Sequence, residues 1–253
     1  MKPLNWASII LATILLVEIT GTANASPPTP QTSARPPLPP IQPGAEASAA
    51  TVPPLHLLEL PPLKAVLLVG PIDGDYGSWT TQAKQDMDLA AAELEANGVE
   101  VHKFYAPNND WEQIKDKTNG AHFLLYRGHG VYWSPMPSPT VGGFYLKNKF
   151  VSADDIRRDL KLAPKAIVML YGYFTAGTAG NDVGSISSAE AQRRVAQYSD
   201  PFLDIGVAGY YADWFGNAFQ MFVRYLFQGM TLGQAYESYF DFNSATVERY
   251  AHP

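Results

Sequence analysis

The chain has 253 residues, no cysteine and a formal net charge of −6. An acidic balance without any long Lys/Arg run excludes nucleic acid as the main partner. The missing thiols exclude disulfides, thiolate metal sites and a thiol nucleophile together. Histidines 56, 102, 122, 129 and 252 show no ligand spacing such as His-x-x-x-His, so neither a metal site nor a cofactor is expected.

At the amino end, Met1-Lys2-Pro3 brings one positive charge to the apolar run from Ala7 to Val17, and Thr22-Ala23-Asn24-Ala25 closes the segment with small residues. This is the layout of a secretory signal cut after Ala25. The run is about 11 residues, whereas a spanning helix needs roughly 20. No membrane span is therefore expected after signal removal, and the expected location is secreted or periplasmic. Residues 26–63 hold 12 of the 21 prolines, including Arg35-Pro36-Pro37-Leu38-Pro39-Pro40. Such a stretch favours extended polyproline II over a packed core and reads as a spacer. Residues 64–253 remain, a length suited to one domain with a sizeable core.

Within that domain, the apolar run Lys64 to Gly70 reads as a strand buried on both faces. A helix from about Thr81 to Asn97 follows, with Ala83, Met87, Ala90 and Leu94 on one face, Ser78 or Thr80 as cap and Asn97-Gly98 as stop. Val99 to Tyr105 is a second strand, Trp111 to Lys117 a short helix and Phe123 to Tyr126 a third strand. Gly142 to Leu146 reads as a small hairpin strand, and the next helix begins at Ser152 with Asp155 as its capping-box partner. Ala166 to Leu170 is the fourth core strand, and a helix near Ala189 to Gln197 leads to a fifth, Val207 to Ala212. Helices over Trp214 to Gln228 and Leu232 to Phe240 complete the order. The alternation predicts an α/β fold with a mainly parallel sheet and helices on both faces.

Ligands of open α/β sheets bind outside the carboxyl ends of the strands. After the third strand comes Gly128-His129-Gly130, in which two glycines leave the imidazole uncrowded. After the fourth comes Tyr171-Gly172-Tyr173-Phe174-Thr175-Ala176-Gly177, where an apolar run stops in small and polar residues. Gly70, Gly74 and Gly77 lack the spacing of a dinucleotide loop.

A strand ending in Gly-His-Gly, followed by a strand ending in x-x-Cys-x-Ser/Thr-x-Gly, resembles the caspase-like clan of caspases, metacaspases, gingipains, separases and CHAT proteins. The resemblance spans Lys64 to Tyr239 in element order and implies a caspase-like architecture. It places His129 as the general base and Tyr173 where the clan has its nucleophilic cysteine. A free thiol titrates near about 8.5 and a phenol near about 10, and the phenol is bulkier. The resemblance thus implies a pseudoenzyme that binds a peptide or protein partner. The alternative is a hydrolase with His129 as base and Thr175, a serine or Tyr173 as nucleophile.

In the metacaspase-like and gingipain-like branches acidic residues line a pocket for a basic side chain. By that likeness Asp73, Asp75 and Asp213, the last followed by Trp214, are candidate substrate-binding residues. Each candidate has a structural alternative: Asp73 and Asp75 as turn residues, His129 as a partner of loop backbone, and Tyr173 as an aromatic plug.

Overall fold

The computed structural model describes residues 61–130, 142–179, 182, 184–213 and 215–239. The expected signal and nearly all of the proline-rich stretch lie outside them. In chain order the elements are β1 (Lys64–Val69), α1 (Ser78–Ala96), β2 (Glu100–Tyr105), α2 (Trp111–Thr118), β3 (Phe123–Arg127), β4 (Gly143–Tyr145) and β5 (Phe150–Ser152). They continue with α3 (Ala153–Asp159), β6 (Ile167–Tyr171), α4 (Ser188–Asp204), β7 (Gly209–Ala212), α5 (Ala218–Phe227) and α6 (Leu232–Glu237).

Five strands form one sheet in the order β2-β1-β3-β6-β7, every neighbouring pair parallel. The α/β class, the parallel sheet and the helices on both faces are as expected. Alternation along the strands divides the core in two. Val66, Leu68, Leu124, Tyr126, Val168 and Leu170 face α2, α3 and α4. Ala65, Leu67, Val69, Leu125 and Met169 face α1, α5 and α6. Both sides of β1 and β3 are dry, which is why they read as unbroken apolar runs rather than alternating ones. From β1 the chain moves outward to β2 and then returns to the other side of β1 as β3. At the carboxyl edge the segments leaving β1 and β3 stay in contact, with the Gly70 N–H donating to the Arg127 carbonyl at 2.9 Å.

Several details differ from the sequence reading, four of them for a clear local reason; in addition β7 begins at Gly209 rather than Val207 and α6 ends at Glu237 rather than Phe240. The strand near 142–146 has a partner, β5, and the two form a separate antiparallel hairpin. At three residues each, they are too short to show a period. Helix α1 begins at Ser78, three residues early, because its cap is neither Ser78 nor Thr80 but the side chain of Asp73 folding back from the preceding loop. Helix α4 runs past Gln197 and through Pro201 to Asp204. Pro201 has no N–H to donate, but Val195, Tyr198 and Phe202 form one buried stripe that carries the helix on. Helix α5 starts at Ala218 because the chain turns first: the Phe215 N–H is held by Asp213, and the Ala218 N–H returns to the Phe215 carbonyl. The capping box at the start of α3 is present as read, with Ser152 and Asp155 bonding each other's backbone N–H.

Candidate functional site

At the carboxyl edge the loops after β3 and β6 touch. A Cβ on Gly130 would overlap the carbonyl oxygen of Tyr173, and one on Gly172 would lie 3.0 Å from both the Gly128 oxygen and the Gly130 nitrogen. These glycines therefore let two backbones meet, which differs from the expected role of leaving the imidazole uncrowded. Beneath them the buried phenol of Tyr126 lies 3.0 Å from the carbonyls of His129 and Tyr145 and accepts the Tyr145 N–H at 3.2 Å. One hydroxyl thus fastens the Gly-His-Gly loop to the β4-β5 hairpin.

His129 is half-buried, and its Nε2 lies 2.8 Å from the carbonyl of Ile72 in the loop after β1. A carbonyl only accepts, so Nε2 carries a proton in this contact and Nδ1 is the ring atom left to take one. The imidazole lies beside the Tyr173 ring, centroids 6.1 Å apart and planes inclined by 20°. Tyr173 is 40 % exposed. The structure therefore brings together the two residues that the sequence places at separate strand ends. Thr175, the other hydroxyl of interest, is fully buried and closes its own turn, donating to the Gly172 carbonyl at 2.7 Å and accepting the Gly172 N–H at 3.2 Å.

The Tyr173 loop is built by its neighbours. Phe174 holds a φ of +69°, a left-handed conformation that costs a non-glycine residue roughly 1–2 kcal/mol. It is buried, and the guanidinium of Arg194 lies over its ring at 4.9 Å. Arg194, itself 4 % exposed, also donates to the Gly177 carbonyl at 3.2 Å, to both Asp182 oxygens at 3.0 and 2.9 Å, and to Glu190 at 2.7 Å. Asp182 in turn accepts the Ala179 N–H at 2.8 Å. One cation from α4 thus ties together Phe174, Gly177 and Asp182. Sequence reasoning missed it, although its position was a signal: Arg194 lies on the same buried stripe as Ala191, Val195 and Tyr198.

A second buried cation was also missed. Arg127, the last residue of β3, pairs with Asp86 of α1 at 2.8 Å, donates to the Gly216 carbonyl at 3.1 Å and stacks over the Tyr171 ring at 4.0 Å. A charge ending an otherwise apolar strand was its only mark in the sequence. Burial raises the Tyr171 phenol above its ordinary range, with Asp213 and Asp86 adding to the shift and Arg127 opposing it.

The expected substrate-binding acids are all engaged within the fold. Asp73 accepts the Trp79 and Thr80 N–H groups, both at 3.0 Å, and the Ser78 and Thr80 hydroxyls at 3.3 and 3.1 Å. The Trp79 amide and the other donors lower its carboxyl to about 2. Asp75 pairs with Lys147 of the hairpin at 3.3 Å. Asp213 is buried and accepts from the Tyr211 hydroxyl and the Phe215 N–H. Trp214 lies outside the described residues.

Asp73 carries a pH prediction. A carboxyl depressed in the folded state from 3.8 to about 2 contributes stability that is whole above pH 3.8 and drains away as pH falls toward 2. Asp73→Asn should therefore lower the melting temperature at neutral pH. The gap to the parent should narrow through that acid window in paired melting curves; a constant gap would exclude the charged cap.

No protein-family model matches the sequence, and no curated protein matches it. Among solved structures, a short-chain flavodoxin associated with a PDU bacterial microcompartment is similar at 13% identity and a TM-score of 0.35, over 67% of this chain and 99% of its own. Among the described residues no helix is long and apolar enough to cross a membrane, and no group of three or more His, Asp or Glu stands ready to hold a metal ion.

Proposed function

We propose that this chain is an exported pseudoenzyme with caspase-like architecture, which binds a peptide or protein partner at the carboxyl edge of its sheet. The observation that carries the reading is the pairing of His129 with Tyr173. A His held by the Ile72 carbonyl, with Nδ1 left as its base, sits beside the position where the clan's motif has a thiol, and that position bears a phenol. Acyl transfer in that chemistry needs a nucleophile that ionises near neutrality, which a thiol does and a phenol does not. The scaffold for orienting a base therefore serves binding, with Tyr173 as part of the contact surface. The amino-terminal signal and the proline-rich spacer belong to the same reading: they deliver the domain outside the cytoplasm and hold it clear of its point of export.

Tyr173→Cys tests this. The parent chain is expected to cleave no fluorogenic peptide, and the variant to gain cleavage that His129→Ala abolishes, together with labelling by a thiol-reactive peptide probe. Hydrolysis by the parent chain that depends on His129 would overturn the reading. A folded variant that is neither labelled nor active would remove the assignment of Tyr173 to the nucleophile position.

A further inference from the structure

Ile72 holds the His129 ring, and both of its own backbone polar groups are taken by side chains. Its carbonyl lies 2.8 Å from Nε2 of His129, and its N–H donates to the Thr80 hydroxyl at 2.8 Å. Thr80 is fully buried in the first turn of α1, the one polar member of the stripe that continues through Ala83, Met87, Ala90 and Leu94. Its Oγ1 also accepts the Asp73 N–H at 3.4 Å, and it lies 2.7 Å from the Gly74 carbonyl and 3.1 Å from the Asp73 carboxylate. A hydroxyl has one proton and two lone pairs. The two N–H groups therefore fill its accepting side, and Gly74 and Asp73 compete for its proton.

The contact with the Asp73 N–H bears on His129 directly, because that N–H and the Ile72 carbonyl belong to one peptide unit. A peptide unit is planar, so holding its N–H sets the direction in which its carbonyl points. Asp73 anchors the same unit from its other end: its carboxylate, charged and held by neutral donors, folds back onto the start of α1. Gly77 permits that fold-back, since a Cβ there would overlap the Asp73 side chain and carbonyl. A helix cap alone accounts for the bonds of Asp73. It does not require the Thr80 hydroxyl to reach Ile72, which lies outside the helix.

We infer that Thr80 is a positioning residue: acting through the Ile72–Asp73 peptide, it aims the carbonyl that keeps His129 in its Nε2–H form, with Nδ1 as the acceptor. The Tyr126 hydroxyl, 3.0 Å from the His129 carbonyl, fixes the backbone of the same residue from another element. The inference deepens the reading of His129 as the oriented base of the site and rests on it for its consequence, but the tautomer can be measured without any ligand.

The test is a long-range nitrogen–proton NMR spectrum of the histidine side chains in the full chain, recorded above the ordinary imidazole titration range and assigned with His129→Gln. The parent is expected to show His129 as one tautomer, protonated at Nε2. Thr80→Val keeps the shape and removes the hydroxyl, and should convert that signal to a mixture of tautomers; Thr80→Ser should restore the single form. Ala90→Gly, which weakens the middle of α1 away from the loop, should leave it unchanged. In the Tyr173→Cys background, Thr80→Val should slow labelling by the thiol-reactive peptide probe by roughly tenfold or more, the scale on which a misplaced reacting group loses rate. Thr80→Ser should not.

A parent whose His129 is protonated at Nδ1, or already mixed, overturns the inference without any variant having to fold. A Thr80→Val spectrum that keeps the single Nε2–H form overturns it too, as does an equal change in Ala90→Gly, which would mark a loosened helix and nothing more. Tyr173→Cys that neither labels nor cleaves removes the reading of Tyr173 instead, and the spectrum still decides the role of Thr80.

Discussion

Arg194→Met is expected to lower the unfolding free energy by about 3–5 kcal/mol, the range seen when one partner of a buried ion pair is removed and the other is left behind. The methionine roughly conserves volume, so the loss is electrostatic rather than a cavity. Asp182 would be stranded with a side-chain exposure of 15%, Glu190 would keep only Arg193, the Gly177 carbonyl would lose its donor, and Phe174 would lose the cation over its ring. Arg157 supplies the contrast. It is 40% exposed and pairs with Asp154 and Asp204, and its replacement by methionine should cost at most about 1 kcal/mol. Urea unfolding of both variants decides the matter, and a loss for Arg194→Met no larger than that for Arg157→Met would show that the clamp does not hold the loop.

The same cluster adds a pH signature. Arg193 and Arg194 hold the Glu190 carboxyl down from 4.5 to about 2. A depressed carboxyl stabilises the fold fully above pH 4.5, and that contribution is lost as pH falls toward 2. Removing Arg194 removes its share, so the difference between parent and variant should shrink across that window. A difference that grows with acid would contradict the assignment.

Arg127→Met is expected to cost about 3 kcal/mol, the lower end of the same range. Arg127 and Asp86 are nearly dry, with side-chain exposures of 9% and 11%. The Nε of Arg127 has no hydrogen-bond partner among the described residues, so the native arrangement already bears part of a desolvation penalty that the variant relieves. The informative measurement is the double variant Arg127→Met with Asp86→Asn. Neutralising the stranded carboxylate should recover a substantial share of the loss, giving a coupling energy in the double-mutant cycle. Strict additivity would mean that the two side chains do not act as a pair. The result bears on function too, because Arg127 joins β3 to α1, to Tyr171 and to the turn after β7, directly below the loops that carry His129 and Tyr173.

Much of this architecture was legible because the forces that set it are local and periodic. The apolar runs from Lys64 to Gly70 and from Phe123 to Tyr126 read as buried strands, and Ala83, Met87, Ala90 and Leu94 repeat at helical spacing on α1. Alternation of such elements leads to a parallel sheet, and the sheet's carboxyl edge is where the Gly-His-Gly and Gly-Tyr-Phe-Thr turns were placed. What escaped notice has no period. Asp73 caps a helix from five residues before Ser78, a reach that no fixed capping pattern predicts. Tyr126 looks like one more apolar residue of a strand until its hydroxyl is seen to join two segments.

The sequence by itself determined the class of fold, the order of its elements and the absence of a thiol anywhere in the chain, because hydrophobic period, turn chemistry and composition are properties of short stretches read one at a time. Only the tertiary structure decided that His129 and Tyr173 lie side by side, that each candidate acid within the described residues is already satisfied inside the fold, and that Arg127 and Arg194 underpin the site. Those facts depend on which distant groups meet, since a charge is neutralised and a ring positioned by neighbours in space, and Arg194 stands 12 positions from Asp182 and Arg127 89 from Gly216.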